Sequence, residues 1–152
     1  MLDGLKSLLG LKKRETREHE KLGTLTLIED GDPYWEAEIK QRGAEPISFA
    51  IPDEQGEPDN GAIEFAVYCL EMPMQDLIGL CGQIVIDEWT LWVELDWPED
   101  VTDRFTLVGI DAPIDGDVEG EWSASFAMTD DENHIMTVNF AEGMGHSVTF
   151  DG

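Results

Sequence analysis

Residues 24–40, TLTLIEDGDPYWEAEIK, constrain the fold more than any other stretch of this chain. Leu25 and Leu27 alternate with threonines, and Trp35, Ala37 and Ile39 alternate with Glu36, Glu38 and Lys40. Successive side chains on a strand point to opposite faces, so both runs have one apolar and one polar face. EDGDP between them supplies turn chemistry, and together they predict an antiparallel hairpin packed on a core by one side only. PISFAI continues the pattern, with Ile47, Phe49 and Ile51 inward.

The period then changes. After the acidic loop PDEQGEPDN, with Asp59 or Asn60 as N-cap, Ile63, Ala66, Val67 and Leu70 keep helical spacing over 60–71. Pro73 ends or kinks this helix, because an interior proline removes a backbone donor and clashes with the preceding turn. Leu77, Ile78, Cys81, Ile84 and Val85 carry a second helical stripe to about residue 88. In WTLWVELDW, residues 89–97, alternate positions are apolar, which predicts an extended segment despite Trp92 on the polar side. Strands are expected at about 104–111, 121–129, 134–141 and 146–151, separated by DAPIDGDVEG, TDDEN and AEGMG. The expected fold is α+β: an antiparallel sheet of about seven strands with a helical pair inserted after strand three.

Charge divides the chain differently. Of 152 residues, 34 are acidic and nine are Lys or Arg, for a formal net charge of -25. Six of the nine bases (Lys6, Lys12, Lys13, Arg14, Arg17 and Lys21) stand in residues 1–21 beside four acids, leaving three bases against 30 acids in residues 22–152. Leu2, Leu5, Leu8 and Leu9 form one stripe at helical spacing, and Gly10 suits the left-handed position after a helix. Residues 1–21 are therefore expected to be a short amphipathic helix and a basic tether. KKRETREHEK reads as a solvated helix extension or linker, and residues 22–152 as a single acidic domain. Docking of the leucine stripe on the body, or on a second copy through residues 1–14, is favoured over a partner groove and over an anionic membrane. The apolar part of this stretch is too short to span a bilayer.

A body this acidic repels nucleic acid and anionic lipid, and attracts basic surfaces. The content of apolar residues, 41%, with five Trp and six Phe, argues against a disordered acidic tail. Cys69 and Cys81 stand in apolar surroundings as small core residues, consistent with a reducing, cytoplasmic setting.

No catalytic pattern stands out. His146 and Ser147 are adjacent on an expected strand and point to opposite faces, so GMGHS reads as a hairpin turn in which Gly143 and Gly145 supply positive φ. DGDVEGE begins like a calcium loop, but the residue at position 12 is Phe126, and an acidic surface turn is the better reading. Asp130, Asp131, His134 and His146 lack paired metal-ligand spacing. Trp35 and Trp122 are expected in the core, whereas Trp92 and Trp97 are candidates for exposure. No catalytic residue, metal ligand or cofactor is assigned.

LGTLTLIEDGDPYWEAEI, a helical middle and HIMTVNFAEGMGHSVTFDG resemble, in that order, a group of bacterial domain-of-unknown-function proteins. Gly23, Leu25, Trp35 and Gly152, with Gly145 and His146 before the last strand, carry the resemblance over residues 22–152. Related families sit beside polymorphic-toxin genes as candidate immunity proteins. The acidic body and the absence of an active-site motif lead to the expectation of a non-enzymatic immunity or inhibitor protein that occludes a basic partner surface such as a toxin cleft, and the resemblance brings no catalytic residues. The acids expected to meet that partner are Glu36, Glu38, Asp53, Glu54, Glu57, Asp115, Asp117 and Glu119. The alternatives are a nucleic-acid mimic occupying a DNA-binding protein, which would need a regular ridge of carboxylates, and a domain of other function with weak membrane association through its N-terminal helix.

Overall fold

The computed structural model describes residues 14–93, 96–99, 101, 103–129 and 134–151. The leucine-stripe positions Leu2, Leu5, Leu8 and Leu9, and the metal candidates Asp130 and Asp131, lie outside the described residues.

The strands are β1 (Thr16–His19), β2 (Gly23–Ile28), β3 (Tyr34–Gln41), β4 (Ala44–Glu54), β5 (Glu57–Pro58), β6 (Phe105–Asp111), β7 (Trp122–Met128), β8 (Ile135–Ala141) and β9 (Met144–Asp151). Between β5 and β6 stand three helices, α1 (Asn60–Glu71), α2 (Met74–Cys81) and α3 (Gln83–Val93). A 3-10 turn, Ile114–Gly116, follows β6. The sheet runs β1-β2-β3-β4-β6-β7-β8-β9, with the short β5 paired to β4. All neighbours are antiparallel except β4 and β6, which pair in parallel through Ser48–Gly109, Phe49–Ile110 and Ala50–Asp111.

The expected antiparallel sheet of about seven strands with a helical pair is therefore corrected to a nine-stranded mixed sheet with, among the described residues, three helices. Parallel neighbours need a long crossover, which the helical segment supplies by carrying the chain from the end of β4 to the start of β6. The stretch KKRETREHEK, read as solvated helix or linker, contains β1, whose Thr16–His19 pair with Thr26–Gly23. The hairpin over 24–40 stands as expected, with Trp35 opposite Leu27.

Trp89 and its neighbours overturn the extended reading over residues 89–93, which form the last turn of α3. Val85 and Trp89 are buried one helical turn apart, whereas Leu91, which alternation would bury beside Trp89, is 76% exposed. Trp92 stacks on Phe150 of β9 with centroids 4.8 Å apart. The stripe 85-89-92 is helical, and packing against the sheet selects it over the period of two. Gly82, at φ 78, separates α2 from α3 where a single stripe was expected.

One face of the sheet holds the core. Leu25, Leu27, Trp35, Ala37, Phe49, Ile51, Phe105, Leu107, Ala124, Phe126, Met136 and Val138 point into it with the inner residues of all three helices. Trp122 stacks on Phe140 at 3.7 Å and meets Phe65 of α1 edge-on at 4.7 Å. Trp97 lies half-buried against Trp89 and Phe105. Among the described residues no helix is long and apolar enough to cross a membrane.

Gly145 corrects the turn reading of GMGHS. Only Gly143 of that hairpin's two glycines has positive φ, at +80. At Gly145 a Cβ would stand 2.3 Å from the Cys81 carbonyl oxygen and 3.0 Å from Ile84 Cγ2, so the glycine lets β9 approach the α2–α3 junction. A Cβ added at Gly79, in α2, would meet nothing within 4 Å. Gly145→Ala should lower the midpoint of urea unfolding by about 1–3 kcal/mol of stability, whereas Gly79→Ala should raise it by about 0.5–1 kcal/mol through helix propensity. Equal effects of the two would refute the packing assignment.

Candidate functional site

The helices cover one face of the sheet, and the registers describe what lies on the other. One row runs Thr26, Glu36, Ala50, Asp111, Ser123, Asn139, Ser147 across β2 to β9. The next runs Glu38, Ser48, Gly109, Ser125, Thr137, Thr149 across β3 to β9. The acids in these two rows are Glu36, Glu38 and Asp111, with Glu18 of β1 and Asp151 of β9 on the same face at its two edges, and hydroxyl or small side chains fill the space between. Ser125 and Thr137 hydroxyls are 2.9 Å apart, and the Asn139 amide donates to Ser147 Oγ at 3.2 Å. Ser147 thus belongs to a cross-strand polar pair and has Asn139, not His146, as its described partner.

Asp111 is the focal point. It lines a cleft of about 490 Å³ with Asp32, Tyr34, Pro52, Ile114 and Glu121. It also lines a shallow trough of about 240 Å³ with Tyr34, Glu36, Ser48, Gly109 and Ser125. A third concavity of about 340 Å³ joins Asp111 to Glu121, Ser123, Asn139 and His146. Four carboxylates, Asp32, Glu36, Asp111 and Glu121, thus converge on adjoining hollows, and none of the described residues lining those hollows is Lys or Arg. Tyr34 offers a half-buried ring and Ile114 an apolar rim that is 70% exposed. Loss of solvent around Asp111 pushes its carboxyl above the ordinary value.

The register shift between Leu107 and Gly109 explains why Asp111 joins this face. Phe105 and Leu107 point into the core, and without the shift residue 111 would follow them. The bulge turns Ile110 inward and Asp111 outward. The signal in the sequence is the broken alternation itself, GID, where strict period two would place the aspartate in the core.

The eight acids expected at a partner surface do not form one patch. Glu36 and Glu38 lie on the open face as expected. Asp53 accepts from the Trp35 indole N–H at 2.8 Å and from Gly56 N–H at 3.2 Å, a structural role at the β4–β5 turn. Glu57 forms a two-pronged pair with Arg17 at 2.8 and 2.7 Å, which holds its carboxyl below the ordinary range. Arg17 also stands 5.3 Å from the centroid of the Trp35 ring. Asp117 accepts from Glu119 N–H at 3.0 Å, and the Glu119 carbonyl accepts from Glu142 N–H, so both belong to the loop between β6 and β7. Sequence reading missed Asp32, Asp111, Glu121 and Tyr34.

Glu54, Asp59 and Asp115 bring carboxylate oxygens within 4.8 Å of one another, a grouping that resembles a cation site. Asp59 is only 3% exposed, and its two oxygens accept from Ala62 N–H at 3.2 Å and Asp115 N–H at 2.7 Å. The buried carboxylate therefore caps α1 and fastens the 3-10 turn. His134 meets Trp92 edge-on, whereas His146 lines the hollow beside Asp111, so these two histidines serve different surroundings. Both cysteines are buried and free, and burial pushes their thiols up to about 12, which leaves them protonated at neutral pH.

No family model, curated protein or solved structure matches this chain.

Because the folded state holds the Asp111 proton more tightly than the unfolded chain does, Asp111 favours folding at low pH and this contribution is lost as pH rises through the folded value. Asp111→Asn should therefore raise the thermal midpoint at neutral pH, and the gain should vanish below the ordinary value of 3.8. A lower midpoint at neutral pH would show that the ionised carboxylate is held by partners instead.

Proposed function

We propose that the chain is a non-enzymatic binding protein whose open sheet face receives a basic surface of another protein. The convergence of Asp32, Glu36, Asp111 and Glu121 on adjoining hollows carries this reading. An incoming guanidinium or ammonium group would meet several carboxylates at once, with the Tyr34 ring available for stacking. Asp111 lines all three hollows, so a cation entering any of them meets its carboxylate. Complementary charge of this kind speeds encounter and rejects wrong partners more than it sets affinity. The most concrete form of the reading is an immunity or inhibitor protein that occludes the basic cleft of a toxin.

The distribution of acids favours this reading over nucleic-acid mimicry. In the middle of the open face the carboxylates gather at β3 and β6, where Ser48, Ala50, Gly109, Ser123 and Ser125 interrupt them, and Glu18 and Asp151 stand apart at the two edges. Such a pattern makes a local acidic hollow rather than a ridge with phosphate-like repeats.

Calorimetric titration with an arginine-rich peptide at low salt tests the reading. The combined change Glu36→Gln, Asp111→Asn, Glu121→Gln should weaken binding about ten-fold or more, the equivalent of about 1.4 kcal/mol. Glu64→Gln, Asp87→Asn, Glu88→Gln, which removes the same charge from the helical side, should weaken it about two-fold through the long-range field alone. Equal losses would mean that the peptide senses net charge and that the open face is not a binding site.

A further inference from the structure

The open face has a ready occupant in the chain itself. Arg14, the first described residue, lines a concavity of about 380 Å³ on β2 and β3 with Thr24, Thr26, Ile28, Glu36 and Glu38. The polypeptide therefore enters the described structure at the acidic edge of the open face, with Lys12 and Lys13 immediately before Arg14 and thirteen residues preceding it.

We propose that residues 1–13 dock on this face and compete with an external basic partner for it. The competition rests on the partner-binding reading above, whereas the docking requires only the face. Three observations support the choice of occupant. The first is the point of entry: Arg14 itself lines the concavity with Glu36 and Glu38, and Lys12 and Lys13 are its neighbours in the chain. The second is reach. Neighbouring strands are about 4.8 Å apart, so from β1, which Arg14 precedes, to β6 is about 19 Å, and thirteen residues span about 20 Å even when wholly helical. The third is complementarity. Lys6, Lys12 and Lys13 are opposite in sign to Glu36, Glu38 and Asp111. Ser48, Ala50, Gly109, Ser123 and Ser125 leave a shallow trough in which Leu5, Leu8 and Leu9 can lie, next to the ring of Tyr34.

Tethering makes a weak contact sufficient. A short linker holds the segment at an effective concentration in the millimolar range, so an intrinsic dissociation constant of about 1 mM leaves the face about half occupied. A partner must then displace the segment, and its apparent affinity falls by the fraction of molecules in which the face is free. Salt weakens the electrostatic part of the contact, because exposed charges are screened within a Debye length of about 8 Å at physiological ionic strength.

The test compares the full chain, a chain beginning at Arg14, and the full chain with Lys12→Glu and Lys13→Glu. All three retain β1, and the double substitution keeps the length unchanged. In amide NMR spectra, deletion should shift Glu36, Glu38, Gly109, Asp111 and Ser125 while leaving Leu77 and Val85 on the helical side in place. The double substitution should reproduce most of these shifts, and the differences should persist unchanged on dilution. In parallel, the arginine-rich peptide should bind the shortened chain about two- to five-fold more tightly than the full chain. Shifts that are absent, that fall equally on both sides, or that fade on dilution as a contact between two copies would, would overturn the proposal. So would equal peptide affinities for the full and shortened chains. If the peptide binds neither form while the localised shifts appear, the docking stands and the partner-binding reading fails.

Discussion

The buried carboxylate of Asp59 ties together the parts of the chain on which the mixed topology depends. Its backbone N–H donates to Pro52 at the end of β4, and its side chain caps α1 through Ala62 N–H. Its second oxygen accepts from Asp115, just after β6. Beside it, Ala112 N–H donates to the Ala50 carbonyl, which continues the parallel β4–β6 pairing past the last strand residue. The start and the end of the helical crossover are thus fastened to one another at a single buried acid. Gly61 and Gly116 permit this closeness, since a Cβ at either would stand 2.3 Å from a backbone oxygen of the opposing segment. A buried carboxylate is tolerated because backbone donors satisfy it.

With the crossover fixed, all three helices fall on one side of the sheet and bury its aromatic residues. The other side keeps its polar residues, which alternation had already assigned to it in strands such as β3 and β4, and which the bulge in β6 extends to Asp111. Thirty acids distributed over residues 22–152 cannot all find cations, and the described ion pairs use Arg17 with Glu57 and Glu15, and Lys21 with Glu71. These pairs lie at the β1 end of the molecule, where the first segment joins the body. The hollows around Asp111 are lined by Asp32, Glu36, Asp111 and Glu121 with no Lys or Arg among their described lining residues, a set of charges that favours a cation there.

Legibility in the sequence followed the source of each signal. The hairpin over 24–40, the strand centred on Phe49, the helix over 60–71 and the four late strands rest on periodicity, a local property that burial on one face enforces. Residues 89–93 misled because Trp89, Leu91 and Val93 also satisfy a period of two. Only contact with the sheet shows that Trp89 is inside and Leu91 outside. Strand β1 carries no apolar pattern, since its residues TREH are held by pairing with β2 and by the reach of Arg17 to Glu57 and Trp35. Of the proposed site, Glu36 and Glu38 could be read from alternation, whereas Asp111 required knowledge of the bulge and of the strand beside it. Asp53, Glu57 and Asp117 looked like surface acids and proved to hold turns or an ion pair, because a local acid-rich string does not reveal which backbone donors fold back on it.

The sequence by itself determined which residues face the core in regularly alternating strands such as β3, β4 and β7, where the main helical segment begins, and how unevenly charge is divided between residues 1–21 and the rest. Each of these depends on neighbours within a few positions or on simple composition. Tertiary structure alone decided that β6 lies parallel beside β4, that Gly145 is small to admit Cys81 rather than to turn the chain, and that acids as distant as Asp32 and Glu121 share one cleft. These outcomes depend on contacts between residues far apart in the chain, where the competing arrangements have the same local pattern and differ only in how well their surfaces pack.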